Sequence, residues 1–301
     1  MGILASSQTN GAPTMALDFV TIMRALLELE RAYLGQGRIW QAKNQPQKRL
    51  IALYALFRDQ LEGLHSLKAK AATDADVLNT FLAENGFGPM FDALNGGIGV
   101  ASILDMLIEW VETGEKCDID SAGTKYPGFE IKKDAFEAFE VPGNIAPLLR
   151  LKTKTGDSLW LHIPNAVPET AFDMACSVFD LMRNRKSLAH SYTSVKIPMV
   201  DMDIEPDLSF LIGMGTVDES GNEWSVSEAI QRFKLRMNDK GARAKVATGI
   251  VMRGVSFTLK NAYVVDRPFL VWMTQGESTL PLAPTMAGRD SWKATSGFED
   301  M

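Results

Sequence analysis

Apolar residues in the first third of the chain recur at helical intervals. Residues 15–34 place Leu17, Val20, Met23 and Leu27 on one face, and residues 47–70 do the same with Leu50, Leu53, Leu56 and Leu61. Thr73 followed by Asp74 and Asp76 predicts a helix start, and Asn85-Gly86 its end, giving a helix over 74–85. Pro89 predicts another start, and residues 100–112 are strongly apolar on one side, with Gly96, Gly97 and Gly99 as an interruption. After Gly114 the period shortens. Alternating runs predict strands over 129–132, 146–154 and 158–163, the last two joined by a hairpin turn at Lys154-Thr155-Gly156-Asp157. Helical spacing returns over 168–183, alternation over 194–203, and a short amphipathic piece over 207–214. Helices first and strands second predict an α+β fold, with a helix-rich N-terminal part packed on antiparallel or mixed sheets. The expected organisation is a mobile tail over 1–14, a helical region over 15–124 and a strand-rich region over 125–301, with 15–301 forming one compact unit.

The most informative stretch is 229–273. Phe233, Leu235 and Met237 alternate with Arg232, Lys234 and Arg236, the pattern of a half-buried strand. Asn238, Asp239, Lys240 and Gly241 break it with turn-forming residues. Nearly every residue from Ala242 to Gly249 is small, and an apolar run over 262–273 reads as one buried strand with Asp266-Arg267-Pro268-Phe269 in its middle. A connection of this length without its own structure is uncommon in a compact domain and is usually functional or disordered, so 241–259 is the first place to look for function.

Composition narrows the classes. A net charge of -6 argues against a protein that coats nucleic acid with its whole surface. Cys117 and Cys176 form no metal or redox motif, and so few cysteines point to a reducing, intracellular compartment. No signal peptide or transmembrane run is evident, although Met1-Gly2-Ile3-Leu4-Ala5-Ser6 fits the short N-myristoylation pattern at Gly2.

His65, His162 and His190 lack companions at metal-ligand spacing, and nothing marks a nucleophile elbow. Asp201, Asp203, Glu205 and Asp207 would share one face of an extended chain. They could collect a hard cation, but a strand with Met202 and Ile204 buried and its acids solvated is the favoured reading. Gly213-Met214-Gly215 reads as a helix C-cap and turn rather than a nucleotide cradle. Arg232, Lys234, Arg236, Lys240, Arg243, Lys245 and Arg253 meet only Asp239 as counter-charge, a positive stripe suited to nucleic acid or another polyanion; the alternative is a solvated strand face. No catalytic residue, cofactor or metal is expected.

The order of these features resembles the reactive-loop region of the serpins. Asn238-Asp239-Lys240-Gly241 is similar to that family's strand-end hinge, residues 242–249 to its alanine- and threonine-rich run, and Asp266-Arg267-Pro268-Phe269 to its D-R-P-F signature. Upstream, the runs around 148–154, 158–164, 195–198 and 208–215 also follow the family's order, so the likeness spans about 126–285. Residues 1–125 show no match, and no N-A-x-x-F-K-G-x-W-type strand is found, which predicts an incomplete main sheet. The resemblance implies an exposed loop over about 241–259 that is bait for a serine protease. Its hinge would be Asn238, Asp239, Gly241, Ala242, Ala244, Ala247 and Thr248, with Ala242, Ala244, Val246 and Thr248 facing inward, and its scissile bond would lie among Arg253, Gly254, Val255 and Ser256. The alternatives are a non-inhibitory scaffold that binds a polyanion through the basic stripe, and an assembly protein that contacts copies of itself.

Overall fold

The computed structural model describes residues 12–190, 192–243 and 261–295. The chain divides into two compact units, one of Met1–Leu17, Met106–Ile204 and Phe233–Met301, the other of Asp18–Asp105 and Glu205–Arg232.

In the second unit the first helix runs Phe19–Leu29, started by Asp18, whose side chain accepts from the Val20 amide. It runs into a π-helical turn, Glu30–Leu34, that carries a fully buried carboxylate. Glu30 is satisfied by four donors: the Gly37 amide, the Trp40 indole, the Tyr54 hydroxyl and the Arg58 guanidinium. The next helix, Gln45–Phe57, starts at an Asn44 cap and passes into a 3-10 turn at Arg58–Gly63. The helical spacing over 47–70 therefore overran. Leu67–Ala72 is a strand, paired antiparallel with Gly99–Leu104. The apolar side of 100–112 also belongs to a strand, because alternate residues of Gly99–Leu104 are buried against the neighbouring helices.

Ala75–Glu84 is the helix expected over 74–85, and Asp74 caps it. Its Leu78 and Leu82 pack with Ala72, Ala101 and Ile103, covered by Phe81, Phe87, Met90, Phe91 and Leu94. Pro89 opens no helix. The Asn79 amide instead bonds the amides of Met90 and Phe91 and the carbonyl of Phe91, pinning an irregular segment.

In the first unit, a seven-stranded antiparallel sheet runs in the order Met15–Ala16, Leu282–Ala287, Phe269–Thr274, Ser158–His162, Leu148–Lys152, Phe136–Glu140, Lys186–Ser187. Met15 and Ala16, expected in a helix, form its edge strand. The hairpin turn lies where expected, with Gly156 at φ 83°, in the left-handed region. Helix Ala171–Asn184, capped by Thr170, packs on Leu282–Ala287 and Met15–Ala16. A second sheet orders Ala262–Val264, Ser194–Pro198, Thr124–Lys132 and Glu115–Ser121, parallel at the first pair and antiparallel at the others. A third orders Val200–Ile204, Phe233–Asn238, Gly241–Arg243 and Ile108–Glu109. The run over 262–273 is thus two strands in two sheets. Helices and separate, largely antiparallel sheets make this an α+β protein, as the patterning predicts.

His162 is buried in the seven-stranded sheet, its ring nitrogens 3.2 Å from the Pro147 carbonyl and 3.0 Å from Asn144 Oδ1. Burial lowers its pKa, opposed by the Pro147 bond, and His190 shifts the same way. A folded pKa below the unfolded value of about 6.5 leaves stability intact above that pH and removes it as pH falls below. Urea unfolding at pH 7.5 and pH 5 should show a drop in midpoint at the lower pH, and His162→Gln should make that drop smaller.

Candidate functional site

Strand Phe233–Asn238 reverses through Asp239 and Lys240 into Gly241–Arg243, with Asn238 opposite Gly241. Asn238 Oδ1 accepts from the Lys240 amide at 2.9 Å, the local bond that closes the turn. Residues 110–116 hold it from outside. The Trp110 amide donates to the Lys240 carbonyl at 3.2 Å, the Trp110 indole to the Asn238 carbonyl at 2.9 Å, and the Gly114 amide to the Asp239 carbonyl at 2.7 Å. Lys116 lies 3.9 Å from the Asp239 carboxylate, and Trp110 itself is buried against Phe129 at a ring separation of 6.0 Å.

The first three residues of the expected loop are therefore a strand. Gly241–Arg243 lies between Phe233–Asn238 and Ile108–Glu109, antiparallel to both. Ala242 stands in a row with Val200, Met237 and Ile108, each at 0% exposure. Ala242 thus turns its side chain into the buried side of this sheet; the rest of the expected inward set, Ala244, Val246 and Thr248, lies outside the described residues. Gly241 has a steric reason: a Cβ there would stand 2.2 Å from the Ile108 carbonyl oxygen and 3.0 Å from the Glu109 Cα. Of the other expected hinge residues, Ala244, Ala247 and Thr248 lie outside the described residues, as do Lys245 and the expected scissile-bond residues Arg253, Gly254, Val255 and Ser256. Gly2 and the tail over 1–11 lie outside them too.

Trp110, Gly114 and Ile108 were not singled out in the sequence. The signal was present but misread: the apolar run that contains Ile108 and Trp110 has the spacing of a helix face, and only pairing with Gly241 and Ala242 fixes it as strand.

The acidic run and the basic stripe prove to be halves of one arrangement. Val200–Ile204 pairs with Phe233–Asn238 so that Asp201 opposes Arg236 and Asp203 opposes Lys234. Their charged groups are 3.2 and 3.7 Å apart, and beyond the strand ends Arg232 lies 3.9 Å from Glu205. The stripe of Arg232, Lys234 and Arg236 is therefore not left with Asp239 alone. Nor are the acids merely solvated around Met202; Asp207 accepts from the amide and hydroxyl of Ser209, which depress its pKa. Lys240 is exposed. Among the described residues no group of acids, histidines or cysteines could hold a metal ion.

Gly213, at φ 78°, follows the 3-10 turn Ser209–Leu211, and Gly215 begins strand Gly215–Val217, so Gly213-Met214-Gly215 is a turn into a hairpin. Asp266, Arg267 and Pro268 make the corner between two sheets. The Asp266 carbonyl accepts from Ser121 Oγ, Asp266 pairs with Arg267 at 3.4 Å, and Phe269 is buried 6.1 Å from the Trp292 ring. Proline suits such a corner because it donates no ladder hydrogen bond.

Two substitutions test this geometry. Gly241→Ala forces the third sheet apart and should cost about 1–3 kcal/mol, read as a lower urea midpoint with faster hydrogen exchange at the Trp110 amide. Arg236→Glu should cost no more than about 1 kcal/mol, since the pair is partly exposed, and Asp201→Arg in the same chain should restore part of it. A double-mutant cycle with no coupling would remove the pair from the account.

No protein-family model matches the chain, and no curated protein matches its sequence. Solved structures do match. Serpin48 from the insect Tenebrio molitor is 13% identical with a TM-score of 0.57, covering 92% of this chain and 91% of its own. Human thyroxine-binding globulin complexed with thyroxine is 12% identical with a TM-score of 0.58 over 91% of each chain. Tengpin, a thermophilic serpin in its native state, is 13% identical with a TM-score of 0.56, over 91% of this chain and 88% of its own. Coverage on this scale takes in most of residues 1–125, where the sequence shows no likeness, so the fold extends beyond 126–285. No helix among the described residues is long and apolar enough to cross a membrane. The chain has the serpin fold.

Proposed function

We propose that this chain is protease bait of the serpin type. A serine protease attacks a carbonyl within 253–256, the peptide bond breaks, and the chain is held as an ester on the protease serine. The segment ahead of the cut then extends the strand begun at Gly241–Arg243. The observation that carries this reading is the seat of Ala242: the loop's first residues already pair on both sides, with a small side chain turned inward. Ala244, Val246 and Thr248 continue that spacing with side chains small enough to enter a sheet. Arg253 suits a trypsin-like enzyme, and Val255 an elastase-like one.

A second reading has its own support. Ile108–Glu109 offers only two residues of pairing edge, so a cleaved loop gains little new ladder there, and a non-inhibitory scaffold follows. Thyroxine-binding globulin, one of the matched structures, is complexed with a small molecule, thyroxine. Support for a polyanion surface is withdrawn by the carboxylates facing Arg232, Lys234 and Arg236.

Incubation of the full chain with trypsin and with elastase separates the two. The bait reading expects a covalent complex that survives boiling in detergent and a cleaved chain with a markedly higher Tm; Arg253→Ala should abolish the trypsin complex. Cleavage within 253–256 with no complex and an unchanged Tm would establish the scaffold instead.

A further inference from the structure

On the seven-stranded sheet, one row of facing residues runs Glu137, Arg150, Trp160, Trp272 across four strands. The Arg150 guanidinium carbon is 5.7 Å from the Trp160 ring centre and 6.0 Å from that of Phe139. A second guanidinium, Arg185 at the end of helix Ala171–Asn184, lies 5.0 Å from the same indole. Cations favour the face of an indole, but two of them at one ring repel.

Counter-charge is short. Glu137 is shared, 2.6 Å from Arg150 and 3.6 Å from Lys152. Arg185 has no carboxylate partner among the described residues; one of its nitrogens donates to the Met182 carbonyl, which accounts for a helix-end role but leaves the rest of the fork without an acceptor. Three cations thus meet one carboxylate. Donors outnumber acceptors as well: Arg150 Nε is buried with no hydrogen-bond partner, and so is the indole N–H of Trp272, which is 1% exposed and next to Trp160 in the row. Burial and the neighbouring Arg150 both push the Arg185 pKa down, as expected of a cation lacking its anion.

We propose that Arg150 and Arg185, set around Trp160, bind a small oxyanion, a carboxylate or a phosphate monoester, that supplies the missing acceptor. Guanidinium forks match both groups, and a stacked indole adds an apolar wall for an organic body. This site is separate from the hinge and does not depend on the bait reading.

The test is calorimetric titration of the full chain with inorganic phosphate and with benzoate, at constant ionic strength in chloride. Saturable binding is expected, weakened at least about tenfold by Arg185→Gln, the scale of one lost charged hydrogen bond, and not by Arg183→Gln two residues away. Tighter phosphate than benzoate assigns a phosphate ester, and the reverse an aromatic carboxylate; both sustain the site. Arg150→Gln provides a second variant should Arg185→Gln lose its native circular dichroism. Absence of saturable binding for both probes, or an unchanged affinity in the folded variants, overturns the proposal.

Discussion

One backbone approach governs the candidate site: the Gly241 Cα against the carbonyl of Ile108. A side chain there would overlap the opposing strand, so the third sheet closes only around glycine. Once it closes, Val200, Met237, Ala242 and Ile108 form an unbroken buried row, and the turn through Asp239 and Lys240 falls within reach of Trp110 and Gly114. Hydrogen bonds to three successive carbonyls, those of Asn238, Asp239 and Lys240, then hold the reversal in place. Buried carbonyls left without donors are costly. The clamp is therefore part of the sheet rather than an addition to it.

Charge on the outer face follows from the same registration. Taken alone along the chain, Asp201 and Asp203 read as solvated acids that could also collect a cation, and Lys234 and Arg236 as a solvated face that could also meet a polyanion. Antiparallel pairing sets them opposite each other, and each run answers the other. Cross-strand pairs of this kind favour one registration over its neighbours, which suits a strand whose far edge must receive Gly241 and Ala242.

The legible parts were those with one dominant local period. The helices at 19–29 and 75–84 and the hairpin around Gly156 lie within the segments their patterns predict, the helix at 171–184 runs one residue past its own, and caps at Asp18, Asp74 and Thr170 explain their starts. Failures came where an apolar run fits two periods. Residues 67–72 and 99–104 are rich in alanine or short apolar residues, and pairing with each other, invisible along the chain, makes them strands. Pro89 failed for a different reason: the distant Asn79 side chain satisfies the backbone that a helix would have used. In the candidate site, the turn residues Asn238 to Gly241 were readable from composition, whereas Ile108, Trp110 and Gly114, more than a hundred residues away, became recognisable only through contact.

The inward seat of Ala242 also sets an arithmetic for the chain beyond it. Strand residues alternate sides, so a strand continued past Ala242 would keep even-numbered positions on the side of Met237 and Ile108 and odd-numbered ones on the other. Losing or gaining a single residue just after Ala242 would exchange the two sets and carry a lysine toward the apolar row. Changes of length in multiples of two would preserve the order, so drift in this segment should be constrained by parity more tightly than by the identity of its residues.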